Sequence, residues 1–101
     1  MKRYRVEFSD TAESELVDSI IWGITFWGEE RTFHWARELR TKVTTLLEST
    51  PLAHPAAPES QWATAEVRQL IVGRYRVLFE IRGKIVNILH IRGPFTKEEP
   101  K

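Results

Sequence analysis

The stretch Val72-Gly73-Arg74-Tyr75-Arg76-Val77-Leu78-Phe79-Glu80-Ile81-Arg82-Gly83-Lys84-Ile85 decides the fold of this chain. Tyr75, Val77, Phe79 and Ile81 make one apolar face, and Arg74, Arg76, Leu78, Glu80 and Arg82 make the other. A period of two residues is that of a strand with one buried side. Glycine marks both ends: Arg82-Gly83-Lys84 predicts a tight hairpin turn, and Gly73 a bend. Working outward, flanking strands run from about Thr64 to Val72 and from about Lys84 to Arg92, which makes a three-stranded antiparallel meander. A buried face has little use for so many cations, so one face of the sheet is expected to stay partly open.

Register decides whether those cations meet. A three-residue loop, Arg82–Lys84, places Arg76, His90 and Arg92 on one side. A two-residue loop, Arg82-Gly83, moves His90 and Arg92 to the side of Tyr75, because a slip of one residue flips every side chain. The sequence leaves both open. Arg68 shares its face with Leu70 and Val72.

Upstream, Lys2 to Phe8 alternates strictly and reads as a further strand. Ser9-Asp10-Thr11-Ala12-Glu13 then supplies N-cap residues and acids for a first helical turn. Leu16, Val17, Ile20, Ile24 and Trp27 recur at helical spacing, which predicts a helix over about 11–27, stopped by Gly28. A second helix follows over about 30–48, with the stripe Trp35, Ala36, Leu39, Val43, Leu46 and Leu47, and ends before Pro51. One glycine between two amphipathic helices predicts an antiparallel hairpin. Residues 49–63 are rich in Pro, Ala and Ser and read as a loop within one domain. The order β-α-α-β-β-β is of the α+β class, its simplest form laying both helices on one face of an antiparallel sheet. The domain is expected over 1–93, with a polar tail over 94–101.

The 101 residues suffice for one core. With no cysteine, disulfides, thiol catalysis and thiolate zinc sites are excluded. Neither a membrane span nor an apolar leader core is visible, so a cytoplasmic protein is expected. Lys and Arg number 15 against 14 Asp and Glu, too even a balance for a domain that grips duplex backbone. The distribution is uneven, however: residues 10–18 carry Asp10, Glu13, Glu15 and Asp18 and no cation, whereas Arg68, Arg74, Arg76, Arg82, Lys84 and Arg92 crowd the C-terminal third. These arginines are either the solvated face of an ordinary sheet or a grip for phosphate or carboxylate. His34, His54 and His90 are scattered and do not make a metal site, so neither metal nor cofactor is expected. Trp22 and Phe26, four apart, lie opposite the Leu16/Ile20/Ile24 stripe; with Trp62 they are either covered by the loop or form a partner surface.

The residues resemble the RelE/ParE toxin superfamily. The Phe8-Ser9-Asp10-Thr11-Ala12 step, the Leu46-Leu47-Glu48-Ser49-Thr50-Pro51 helix end and the block EVRQLIVGRYRVLFEIRGKIVNILHIRG carry the likeness over roughly residues 3–93. Arg68…Gly73-Arg74-Tyr75-Arg76-Val77…Phe79 is similar to the family's paired-strand pattern. The resemblance implies the toxin of a type II toxin–antitoxin, or plasmid stabilisation, module. Its antitoxin partner would bring an acidic helix and extended segment over Arg68, Arg74, Arg76 and Arg92; a homodimer and a heterotetramer with the antitoxin are the assemblies left open. Two actions exist in the superfamily. ParE-like members arrest growth by poisoning DNA gyrase, and RelE-like members cut mRNA on the ribosome. Cutting would enlist Arg76, with Glu66, Arg68, His90 and Arg92 supplying acid, base and charge. Ile91-Arg92 runs into Gly93-Pro94-Phe95, though, without the extra basic residues and the tyrosine or histidine that RelE-like nucleases usually carry there. That gap and the long helical hairpin favour the ParE-like action; a non-toxic binding module is the third reading.

Overall fold

The computed structural model describes residues 4–93. The chain forms β1 (Arg5–Phe8), α1 (Asp10–Trp27), α2 (Glu29–Ser49), two 3-10 turns (Pro51–Ala53 and Pro58–Trp62), then β2 (Arg68–Val72), β3 (Tyr75–Arg82) and β4 (Ile85–Arg92). The expected polar tail lies outside the described residues, as does the expected start of the first strand at Lys2. Among the described residues no helix is long and apolar enough to cross a membrane.

The α+β order is as the sequence predicts, but the sheet is mixed, not antiparallel. Its order is β1-β4-β3-β2, and β1 runs parallel to β4. The helical hairpin explains this: it returns the chain beside the start of β1, where the Tyr4 N–H donates to the Glu48 carbonyl at 3.2 Å. A meander of three strands starting there leaves its first and third strands running with β1.

Ser9 caps α1 as expected, accepting the Ala12 N–H at 3.1 Å. Leu16, Leu39, Val43 and Leu47 from the helices meet Leu70, Tyr75, Val77, Phe79, Val86, Ile88 and Ile91 from the sheet. Each of these large side chains is worth about 1.5–3 kcal/mol on leaving water. The face that α1 buries differs from the predicted stripe. Ala12, Leu16, Ser19 and Gly23 are buried, while Val17 is 49% exposed and Ile20, Ile24 and Trp27 are only half-buried. Small residues win because α2 comes close: a Cβ on Gly23 would sit 2.9 Å from Thr32 Cγ2. On α2, Leu46 is exposed and Thr32 takes its place in the buried set.

Both hairpins of the meander are two-residue turns opened by a glycine with positive φ: Gly73 (61°) with Arg74, and Gly83 (62°) with Lys84. Neither of the two loops weighed for the second hairpin is therefore the one used, because Arg82 pairs with Ile85.

Candidate functional site

The turn alone would pair Arg76 with Ile91 and put Arg92 on the helix side. A β-bulge prevents this. Pairing runs Arg82↔Ile85 to Phe79↔Ile88, then steps to Leu78↔His90, Val77↔Ile91 and Arg76↔Arg92. Leu89 is the extra residue, and beyond it His90 and Arg92 turn to the front, the face away from the helices. The bulge is held from α1. β1 ends opposite Ile88, and past that point the Ser9 hydroxyl donates to the Leu89 carbonyl at 3.2 Å. Glu15 accepts the Ile91 N–H at 2.8 Å and lies 3.1 Å from His90 Nδ1. The N-cap serine and one acid of the first helix thus complete a strand edge that β1 is too short to cover.

The Pro-rich loop covers part of the front. Ala57 and Val67 pack on Leu78 and Leu89, and the Ala57 N–H donates to the Val67 carbonyl. The second 3-10 turn swings Glu59 over the arginines. Arg76 Nη1 and Nη2 donate to Glu59 Oε2 and Oε1 at 3.0 and 2.8 Å. Gln69 Oε1 accepts from Arg76 Nε and Nη2 at 3.1 and 2.8 Å, and Arg92 Nη1 stands 3.6 Å from Glu59. The hydrogen bonds from Arg76 are the main reason the Glu59 carboxyl is held down at about 2; its own backbone amide and the charges of Arg76 and Arg92 add to this. Arg76 is pushed up by the same bonds. Beside the cluster lies a cavity of about 250 Å³, walled by Trp62, Val67, Leu78, Leu89, His90 and Arg92.

The arginines singled out in the sequence do not form one patch. Arg76 and Arg92 meet on the front. Arg68 keeps to the helix-facing side and ties down the loop, donating to the His54 carbonyl at 2.6 Å and to Glu66 at 3.1 Å. Arg74 sits in the first hairpin turn, not in the strand, and borders a separate apolar cleft of about 370 Å³ with Trp35, Leu39, Lys42, Val72 and Tyr75. The front guanidiniums are not a free display: Arg76 is engaged by an acid of the chain itself. Glu59 was not singled out in the sequence; the available signal was an acid on a Pro-flanked segment long enough to reach a strand with surplus arginine.

Trp22 and Phe26 stack with ring centroids 4.3 Å apart. Contacts continue through Trp27 and Trp35 to Tyr75 at spacings of 5.8, 6.3 and 5.3 Å. Phe26 is 62% exposed. Of the two readings, cover by the loop is not what the structure shows: the loop packs on the front of the sheet, with Trp62 itself 81% exposed.

A strand, a helical hairpin laid on one face, and a meander whose front carries arginines make the architecture that the resemblance to the RelE/ParE superfamily implies. The chain belongs to the ParE toxin family of the type II toxin–antitoxin system parDE, whose family model matches residues 6–93. Among solved structures, a chain from the chromosomal ParDE toxin–antitoxin system of P. aeruginosa superposes with a TM-score of 0.75 at 17% identity. The match covers 90% of this chain and 96% of that one, and at such identity the likeness is one of fold. A search of curated proteins gave no match.

Proposed function

We propose that this toxin arrests growth by binding a topoisomerase such as DNA gyrase, and that a cognate antitoxin neutralises it. The supporting observation is that the five residues a nuclease would need do not form one set: Glu66 and Arg68 lie apart from Arg76, His90 and Arg92, and the latter face acids of the chain itself. Metal-free RNA cleavage requires a base, an acid and cations around one phosphate. Arg68 and Glu66 are bonded to each other away from the front, Arg76 is forked onto Glu59, and His90 stands against Glu15. A target bound through protein contacts needs no such set. The exposed Phe26 beside Trp22 offers the aromatic surface on which interface energy concentrates. We assign Arg74, Arg76 and Arg92 to the antitoxin surface and Arg68 to the fold.

One observation favours a second reading, ribosome-dependent mRNA cleavage: the bulge brings Arg76, His90 and Arg92 to one face. Strong expression of the chain in a bacterium separates the two. Growth arrest without new mRNA 5′ ends supports the topoisomerase reading. New ends that vanish with Arg76→Ala support cleavage, and normal growth points to a binding module without toxicity.

A further inference from the structure

We propose that Arg76 and Arg92 form a carboxylate-binding site for an acidic peptide segment, and that Glu59 is its built-in placeholder. The partner's carboxylate replaces Glu59, and a neighbouring apolar side chain enters the cavity beside Trp62. This deepens the antitoxin reading above and rests on it.

Three features carry the inference. Arg76 is aimed without Glu59: the side-chain oxygen Oε1 of Gln69 holds both Nε and Nη2, so the fork stays preorganised when the acid leaves. Glu59 rides on a 3-10 turn that buries none of its own residues, and the turn is closed by Ser60 N–H to the Ala57 carbonyl and Val67 N–H to Ser60 Oγ. Moving that turn therefore disturbs little of the core. Finally, the two guanidiniums share one acid at unequal distances: Arg92 reaches it only at 3.6 Å, with its side chain 46% exposed. The site thus has spare positive charge next to an apolar cavity of about 250 Å³ floored by Val67, Leu78 and Leu89. An acid followed by a leucine-sized side chain matches both halves. A nucleic-acid phosphate would satisfy the charge and leave the apolar floor unused.

The test titrates the full chain with a fluorescently labelled, blocked peptide of alternating leucine and glutamate. The same peptide with glutamine for glutamate, and a hexauridylate RNA, run in parallel. Glu59→Gln should tighten the acidic peptide roughly ten-fold, because the site no longer has to be vacated first. Arg92→Gln, whose guanidinium stands 3.6 Å from Glu59, should weaken it about as much. Unchanged affinity in Glu59→Gln with its thermal transition intact, equal binding of the glutamine peptide, or tighter binding of the RNA each overturns the proposal. Should Glu59→Gln fail to fold, Arg92→Gln decides alone. Gyrase supercoiling measured on the same preparations reads the toxin assignment separately: inhibition without peptide binding discards the placeholder and keeps the target.

Discussion

Arg76 lies forked across the carboxylate of Glu59, both nitrogens of its tip within 3.0 Å of an oxygen, although seventeen residues and a strand boundary separate the two. The pair clips the Pro-rich loop to the front of the sheet. Glu59 titrates at about 2 when folded against an ordinary 4.5, so the folded chain binds fewer protons in this range. Its contribution is complete above about pH 4.5 and is lost as the pH falls towards 2. At this exposure it amounts to at most about 1 kcal/mol. Urea melts between pH 6 and about pH 2 should show an acid limb that Glu59→Gln flattens, with the variant already weaker at neutral pH.

The bulge at Leu89 depends on α1. Glu15→Ala should strand the Ile91 N–H and cost about 1–3 kcal/mol. Ser9→Ala, which loses both the helix cap and the bond to the Leu89 carbonyl, should cost about 1 kcal/mol. Hydrogen exchange at Ile91 should quicken in Glu15→Ala beyond what its loss of global stability explains. Equal quickening across the sheet would mean that Glu15 supports the fold only in general.

Two glycines are predicted to resist alanine for steric reasons. At Gly23 the new methyl meets Thr32 across the helical hairpin, and at Gly93 it collides with the buried Tyr75 ring. Overpacking costs about 1–3 kcal/mol. At Gly23 alanine recovers about 1 kcal/mol of helix propensity, so the net loss there is smaller. Thermal unfolding of both variants, beside Val17→Ala as an exposed control on α1, checks the order Gly93→Ala, Gly23→Ala, Val17→Ala.

The element order could be read from the sequence because local periodicities express it. Tyr75–Ile81 alternates, the helical stripe of the second helix is strong, and Ser9, Gly28, Gly73 and Gly83 punctuate the chain where their backbone chemistry requires. What local pattern could not express was long-range. The parallel pairing of β1 follows from where the helical hairpin delivers the chain. The buried face of α1 follows from how closely Thr32 approaches Gly23, which a hydrophobicity stripe ranks below Val17 and Ile24. The convergence of Arg76, His90 and Arg92 needed one extra residue at Leu89, and nothing about that leucine announces a bulge. The loop's role was hidden because its decisive residue, Glu59, reads in sequence as an ordinary surface acid.

The aromatic surface gives a prediction that leaves the fold alone. Phe26 is exposed, so Phe26→Ala should fold normally yet weaken target binding by about 1–3 kcal/mol if it is an interface anchor. Growth arrest should then need several-fold more protein. Undiminished toxicity at equal expression would remove Phe26 from the target surface.

Supercoiling of relaxed plasmid by purified gyrase, with the isolated chain in excess and no antitoxin present, addresses the proposed action most directly. The account predicts loss of supercoiling, retained when Arg68→Lys and His90→Gln replace two of the candidate nuclease side chains. Full supercoiling at every dose, together with cleavage of ribosome-bound mRNA by the same preparation, would contradict it.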